Sequence, residues 1–402
     1  MPYGVKLKGL GGNDMKEFAF LPKTRDAVIA GAELKDVDGE FTINRKAKAL
    51  HPDYQVLTVR EIIDHTDAKT YVLGNEDGSP VAFFKAGQYL SLQFIIDNSI
   101  ITRPYSISSS PQWSLLGKYA VTIRRNPGGF AADKIIDKLR AGDKVIASAP
   151  EGSFFYDPLR DGKTVIALAG GSGITPFLSM AYAIRDGIED FNLTIIYGSR
   201  DDKSILFKDE LRSITNDCSK VKVVHVLSEE TREDCESGFI TAELISRYLP
   251  ANDTCSIFMC GPEAMYKFVG KEVEKLNIDR KFFRKELQSV TKDVASQAGY
   301  PAECKDQVFN IKLNRGEAIY EFSASANEPL LVAIERAGIP APSRCRCGEC
   351  GWCRSKLLKG NVFIPEETNG RRRADKDFGY IHPCASFPVS DIEIEVPGVY
   401  GE

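Results

Sequence analysis

Five cysteines stand within the last sixty residues: Cys345, Cys347, Cys350, Cys353 and Cys384. Cys345, Cys350 and Cys353 have the spacing C-x4-C-x2-C, and Cys384 follows 31 residues after the last of them. Four thiolates satisfy two irons, each taking two terminal sulfur ligands, and this spacing is that of a [2Fe–2S] site. Gly348 and Gly351 let such a loop fold tightly, so that backbone N–H groups turn toward bridging sulfides. A structural zinc site or a set of buried thiols is the alternative. Zinc sites usually pair two C-x2-C knuckles, and only one is present here. Cys347 falls inside the x4 segment and reads as a thiol at the rim rather than as a ligand.

A second group is the run R-P-Y-S-I-S-S at 103–109. Its residue types suit a flavin. Arg103 can pair with diphosphate oxygens, Tyr105 can lie against the isoalloxazine ring, and the Ser106 hydroxyl can reach the ring N5. Taken alone, R-x-Y-S is short, and a barrel strand with a surface Arg and Tyr is the competing reading. Further on, N-P-G-G-F-A-A at 126–132 opens a helix, whose free N–H groups and positive dipole end suit a diphosphate. That makes Gly128, Gly129, Ala131 and Ala132 candidates, with Ile123 on the strand before them.

A third group is G-G-S-G-I-T-P at 170–176, between an apolar run and a helix start. Here Gly170, Gly171, Ser172, Gly173, Thr175 and Pro176 would bring backbone and helix dipole to a pyrophosphate. A Gly-rich turn of this kind is weak evidence by itself. M-C-G-P-E-A-M at 259–265 supplies Cys260, Gly261, Pro262 and Met265. A small core residue ending a strand is the plain reading of Cys260 without the Gly-Pro that follows.

The elements that must hold these groups divide the chain. From 51 to 158 short alternating strands (55–60, 87–92, 119–123, 144–147) and a turn at 75–78 predict a small antiparallel barrel. From 159 to 286 strands at 164–169, 193–197, 221–226 and 256–260 alternate with helical segments, which predicts a doubly wound parallel sheet. Residues 287–303 read as a linker, and 304–402 as a last domain. Residues 1–50, of mixed charge and weak periodicity, read as an extension packed on the next domain rather than as a docking segment.

With 402 residues the chain exceeds one core. The composition, 43% hydrophobic and 27% charged, is that of a soluble globular protein. A net charge of −4 offers no footprint for nucleic acid, and no apolar run approaches the roughly 20 residues that cross a bilayer. The ten cysteines and the lack of a secretion signal argue for a reducing, cytoplasmic setting.

Residues 305–402 resemble plant-type ferredoxins, in C-R-x-G-x-C-G-x-C, in Leu357-Leu358-Lys359-Gly360 and in His382-Pro383-Cys384-Ala385. Residues 51–402 resemble ferredoxin–NADP reductase-like flavoproteins with a C-terminal ferredoxin domain: R-P-Y-S is that family's flavin signature, G-G-S-G-I-T-P its pyridine-nucleotide motif, and Cys-Gly-Pro its later segment. The resemblance implies a Greek-key barrel for the flavin, an α/β nicotinamide domain and a β-grasp ferredoxin domain. It also implies that Cys260 sits near the nicotinamide C4, and that Ser106 and Cys260 serve hydride transfer. Two departures stand out. Ala132 replaces the family's Ser, and the cluster segment 303–402 carries 13 Lys and Arg against 15 Asp and Glu, whereas free ferredoxins are far more acidic. The second suggests a tethered cluster fed from within the chain.

FAD is favoured over FMN, because the flavin signature and the Gly-rich helix start read together as a diphosphate cradle. The coenzyme can be argued from charge. NADPH-using relatives place a Ser-Arg pair where this chain has Ser228-Glu229, and a carboxylate repels a 2′-phosphate but accepts bonds from a ribose hydroxyl. NADH is therefore expected over NADPH, with Ser199, Arg200 and Lys203 on the neighbouring loop as possible counter-cations or contacts. The implied activity carries electrons from NADH through FAD to the [2Fe–2S] cluster and on to a redox protein, either an oxygenase component or another metalloprotein or flavoprotein. A sensor module is the alternative of another class, and intact flavin and nucleotide motifs argue against it. No acid–base residue is required, so His51, His65 and His225 read as structural.

Overall fold

The computed structural model describes residues 12–31, 47, 50–96, 99–127, 131–250, 254–286 and 290–398. Residues 1–46 make up one compact unit, in which a helix spans Gly12–Gly31, and 47–402 make up the other. The remainder of 1–46, part of the expected extension, lies outside the described residues.

The second unit opens with β1 (Tyr54–Asp64), β2 (Ala68–Gly74), β3 (Tyr89–Ile96), β4 (Ser99–Ser106), β5 (Lys118–Arg124) and β6 (Lys144–Ser148). They form one antiparallel sheet in the order β4-β3-β6-β1-β2-β5. The sheet curls on itself. Ile107 bridges Val121, and the Ser108 N–H donates to Ala120 O at 2.8 Å, so the chain leaving β4 meets β5. Alternate residues such as Leu57, Val59, Leu90, Leu92 and Val121 face one interior, as the period of two requires. Burying each such side chain contributes about 1.5–3 kcal/mol.

Then follow β7 (Thr164–Gly170), β8 (Asn192–Ser199), β9 (Val221–Leu227), β10 (Glu236–Ser237), β11 (Cys255–Cys260) and β12 (Phe283–Lys285), all parallel, in the order β10-β9-β8-β7-β11-β12. Val165, Ala167 and Ala169 pack with Phe177 and Met180 of the helix Thr175–Arg185. Ile166 and Leu168 pack with Val269 and Val273 of the helix Glu263–Glu274 on the opposite face. A strand covered on both faces must be apolar throughout, hence the unbroken run at 164–169. Strand order reverses beside β7, so a crevice opens beyond the carboxyl ends of β7 and β11.

The last part comprises β13 (Val308–Arg315), β14 (Ala318–Ser325), β15 (Ser355–Lys359), β16 (Val362–Phe363), β17 (Tyr380–Ile381), β18 (Phe387–Pro388) and β19 (Ile392–Glu395). Five of these make a mixed sheet, β14-β13-β19-β15-β17, while β16 and β18 form a separate ribbon. The helix Leu330–Arg336 lies over the sheet through Leu330 and Ile334, which meet Ile311, Leu313 and Ile394. This is a β-grasp arrangement. Within 287–303, Val294 and Tyr300 pack with Cys304, Ala326 and Phe387, so this stretch clings to the cluster domain.

Candidate active site

A cleft of about 750 Å³ opens where the three sheets meet. Tyr105 and Ser106 at the end of β4 form one wall, Ser172 and Thr175 after β7 a second, and Cys345 and Cys350 of the loop before β15 a third. Glu286, just past β12, completes the rim.

On the barrel side the expected residues divide. Tyr105 and Ser106 line the cleft, and burial pushes the Tyr105 phenol pKa up. Arg103 does not line it. Its Nη1 donates to Thr102 O at 2.9 Å and stands 3.6 Å from a carboxylate oxygen of Glu335. The side chain of Ile123 does not reach the cleft. It is fully buried in the barrel core, and the alternation of β5 instead gives the cleft to its neighbours Thr122 and Arg124. Ala131 is buried against the barrel core and Ala132 packs beside it, at the start of the helix Ala132–Lys138, which has no side-chain cap. Gly128 and Gly129 lie outside the described residues.

The glycine turn is more tightly built than its motif alone requires. Gly171–Ile174 is a short 3-10 turn that runs into the helix Thr175–Arg185, with Pro176 in its first turn and the Thr175 hydroxyl donating to Ser172 O at 3.0 Å. A Cβ on Gly173 would fall 2.2 Å from Cys260 O, so this approach of turn to strand admits glycine only. A Cβ on Gly170 or on Gly261 would fall 2.5 or 2.4 Å from the Met265 sulfur. Pro262 precedes the helix Glu263–Glu274, and the Gly261 N–H donates to the Tyr266 hydroxyl at 3.2 Å. Cys260, expected beside the nicotinamide, is fully buried at the end of β11 and is not among the residues lining the cleft.

The residues expected beside the ribose are joined by backbone. The Ser228 N–H donates to Ser199 O at 3.1 Å and the Glu229 N–H to Arg200 O at 2.8 Å, which sets the ends of β8 and β9 side by side. Glu230 is occupied, accepting the Asp202 N–H at 2.9 Å, whereas the Glu229 and Arg200 side chains are exposed.

The cysteine loop holds its thiols together. The Cys350 N–H points at the Cys345 sulfur at 3.3 Å, the sulfurs of Cys353 and Cys384 are 3.3 Å apart, and Cys384 also contacts Cys345. Gly348 has φ +86°, and a Cβ there would fall 2.0 Å from Thr368 O. The Nδ1 of buried His382 donates to Gly348 O at 2.6 Å. Four converging thiols on a glycine-bent loop, with a backbone N–H aimed at sulfur, fit a [2Fe–2S] cluster. Cys347 is buried in a small cluster with Cys345 and the barrel's Tyr89, while Cys350 packs against it partly exposed.

Several site residues carried no signal in the sequence. Tyr89 links cleft and cysteine loop, and Arg124, paired to Asp67 at 2.7 Å, reaches the face of Gly171. Glu286 is half-buried on the cleft wall, with its Oε2 covered and lacking a hydrogen-bond partner among the described residues. Burial, then the Glu349 charge, pushes its carboxyl well above the usual range against the opposing pull of Arg284. Arg284-Lys285-Glu286 is a charged run, which on a sequence looks like a solvated face.

Comparison with known proteins accords with this geometry. Residues 56–156 match the oxidoreductase FAD-binding domain, 167–271 the oxidoreductase NAD-binding domain, and 316–389 the 2Fe-2S iron-sulfur cluster binding domain. The glycine betaine monooxygenase reductase subunit of Chromohalobacter salexigens is 27% identical over 355 residues, 85% of this chain and 95% of that protein. The ferredoxin reductase component of 3-ketosteroid-9-alpha-monooxygenase from Rhodococcus rhodochrous is 27% identical over 347 residues, covering 84% and 95%. Among solved structures, phthalate dioxygenase reductase superposes with a TM-score of 0.61 at 25% identity, covering 86% of this chain and 98% of that one; its structure is described as modular, for electron transfer from pyridine nucleotides to [2Fe-2S]. With a flavin, a nucleotide and a cluster domain in this order around one cleft, the chain belongs to the ferredoxin–NADP reductase-like flavoproteins with a C-terminal plant-type ferredoxin domain, NAD(P)H-dependent oxidoreductases that pass electrons from NADH through FAD to a [2Fe–2S] cluster and on to a redox acceptor.

Proposed function

We propose that this chain is the cytoplasmic reductase of an oxygenase system, with domains at 51–158, 159–286 and 304–402. One observation carries the reading: residues from the flavin strand, the nucleotide turn and the cysteine loop face a single cleft. The oxygenase as acceptor is supported by the relatives, which are reductase components of monooxygenases and of a dioxygenase. The near balance of charge in 303–402 supports a cluster supplied from inside the chain rather than by diffusing partners.

FAD, when bound, accepts the two electrons of a hydride and releases them singly, which a one-electron cluster requires. The chain's part is to position and to exclude water. Tyr105 and Ser106 both line the cleft, where Ser106 would hydrogen-bond the flavin ring and Tyr105 would lie against it. Arg103, beside the cleft rather than lining it, and the backbone of 128–132 would take the diphosphate. The turn 170–176 holds the dinucleotide, with backbone donors and the start of an eleven-residue helix. Cys260 acts from beneath as a positioning residue: its carbonyl abuts Gly173 and so sets how far the turn advances toward the flavin. Glu229 accepts from the ribose hydroxyl and repels a 2′-phosphate. Cys345, Cys350, Cys353 and Cys384 hold the irons.

Anaerobic stopped-flow mixing with NADH tests the electron route. Flavin absorbance should bleach before or together with cluster absorbance, and cluster reduction in a preparation stripped of FAD would refute the order. Affinity capture with the reduced protein tests the acceptor. It should recover an oxygenase component, and recovery of only unrelated metalloproteins or flavoproteins would refute that part.

A further inference from the structure

The flavin strand and the cysteine loop meet at one carboxylate. Glu335, near the end of the helix Leu330–Arg336, is 5% exposed. Its two oxygens grip Arg346, the residue after Cys345, at 2.5 and 3.0 Å. The Arg103 guanidinium stands 3.6 Å away on β4, and the Ser99 hydroxyl, at the start of the same strand, donates to Glu335 O at 2.7 Å. One residue of the cluster domain thus binds β4 at its start and its middle, and the cysteine loop as well. Arg346 has φ +58°, a left-handed conformation that a side chain rarely adopts, so the ion pair holds the loop in a shape it would otherwise leave.

Charge at this point is unbalanced. Two guanidiniums share one carboxylate, and the pKa of Arg103 is lowered by burial and by the nearby Arg346. Arg103 uses only Nη1 for Thr102 and Glu335, and among the described residues its Nε and Nη2 make no hydrogen bond. A second anion can therefore join without displacing the first. From this the geometry points to Glu335 as a positioning residue that couples flavin binding to docking of the cysteine loop: the flavin diphosphate on Arg103 balances the surplus charge, and the filled site and the docked loop stabilise each other. The inference rests on the proposal that Arg103 meets the diphosphate. Linkage makes the effect reciprocal, so whatever FAD does for the loop, the docked loop does for FAD affinity.

Hydrogen exchange of residues 344–350, with and without FAD in protein holding its cluster, tests the coupling. In the natural protein FAD should slow exchange there about fivefold or more. Glu335→Gln, assayed at saturating FAD, should abolish that response, weaken FAD binding and slow flavin-to-cluster electron transfer. Glu335→Asp should restore part of the response. A Glu335→Gln variant whose loop still responds fully to FAD overturns the coupling. Arg103→Ala separates the two ideas. If it leaves FAD affinity unchanged, the diphosphate reading fails and the coupling falls with it. If FAD affinity drops yet Glu335→Gln keeps the response, the coupling alone fails.

Discussion

Gly348→Ala puts the cluster assignment under direct strain. At φ +86° an alanine costs about 1–2 kcal/mol relative to glycine. The new Cβ would fall 2.0 Å from Thr368 O and 3.0 Å from the Ala385 Cβ. Carbon–oxygen contacts lie at about 3.3–3.6 Å, so the loop and Thr368 must part by more than about an ångström. Overpacking of that kind costs about 1–3 kcal/mol more. The sum, about 2–5 kcal/mol, lowers the population of the native loop about 30-fold or more. Because Gly348 O also receives the His382 bond, the shift spreads to the turn bearing Cys384. The assay is iron and acid-labile sulfide per FAD, with electron paramagnetic resonance of the dithionite-reduced protein. Cluster content should fall steeply while NADH still bleaches the flavin. Gly316→Ala is the control: its φ is +57° but a Cβ there meets nothing within 4 Å, so it should lower Tm slightly and leave the cluster intact. A Gly348→Ala protein with full cluster content and an unaltered spectrum would refute the reasoning.

Other outcomes follow from single contacts. Asp161, whose side chain is fully buried, pairs with Arg284 at 2.7 Å, and Arg284 in turn bonds Phe155 O at 2.6 Å and Ser153 O. Asp161→Ala strands a buried guanidinium and should cost about 3–5 kcal/mol, read by urea or thermal unfolding. Burial lowers the pKa of His225 and of His65, so below pH 6.5 the unfolded chain binds protons that the folded chain resists. Stability should therefore fall as pH drops through 6.5 and be indifferent to these groups above it; Tm measured at pH 7.5 and 5.5 checks this, and His225→Asn should flatten the decline. Replacing Glu229 by Arg should raise kcat/KM for NADPH relative to NADH about tenfold or more, the worth of one charge-assisted bond, and an unchanged ratio would remove Glu229 from the ribose site.

Much of the fold was legible from local pattern. Strands β7 and β11 read as apolar runs because they are covered on both faces, β8 and β9 read by β-branched residues with a polar position or two, and the glycine turn stood out because it ends the first of these runs. The barrel strands read by alternation, although β2 and β4 lacked a distinct signature of their own. The four thiols were legible from spacing alone, since two irons impose their own ligand count.

Contacts between distant segments were not legible. Side-chain periodicity places Ile123 on a strand, but only closure of the barrel decides that it faces the core and that Thr122 and Arg124 face the cleft. Arg103 carries a flavin signature, yet its neighbour Glu335 comes from a helix more than two hundred residues away, and in the charged run at 284–286 Arg284 is buried against Asp161 while Lys285 stays in solvent. Charges in a sequence look solvated because local pattern contains no information about what packs over them. Residue types and spacing determined the cofactors. Packing of the three sheets decided that their sites share one cleft, because only tertiary contacts bring together segments that local rules treat independently.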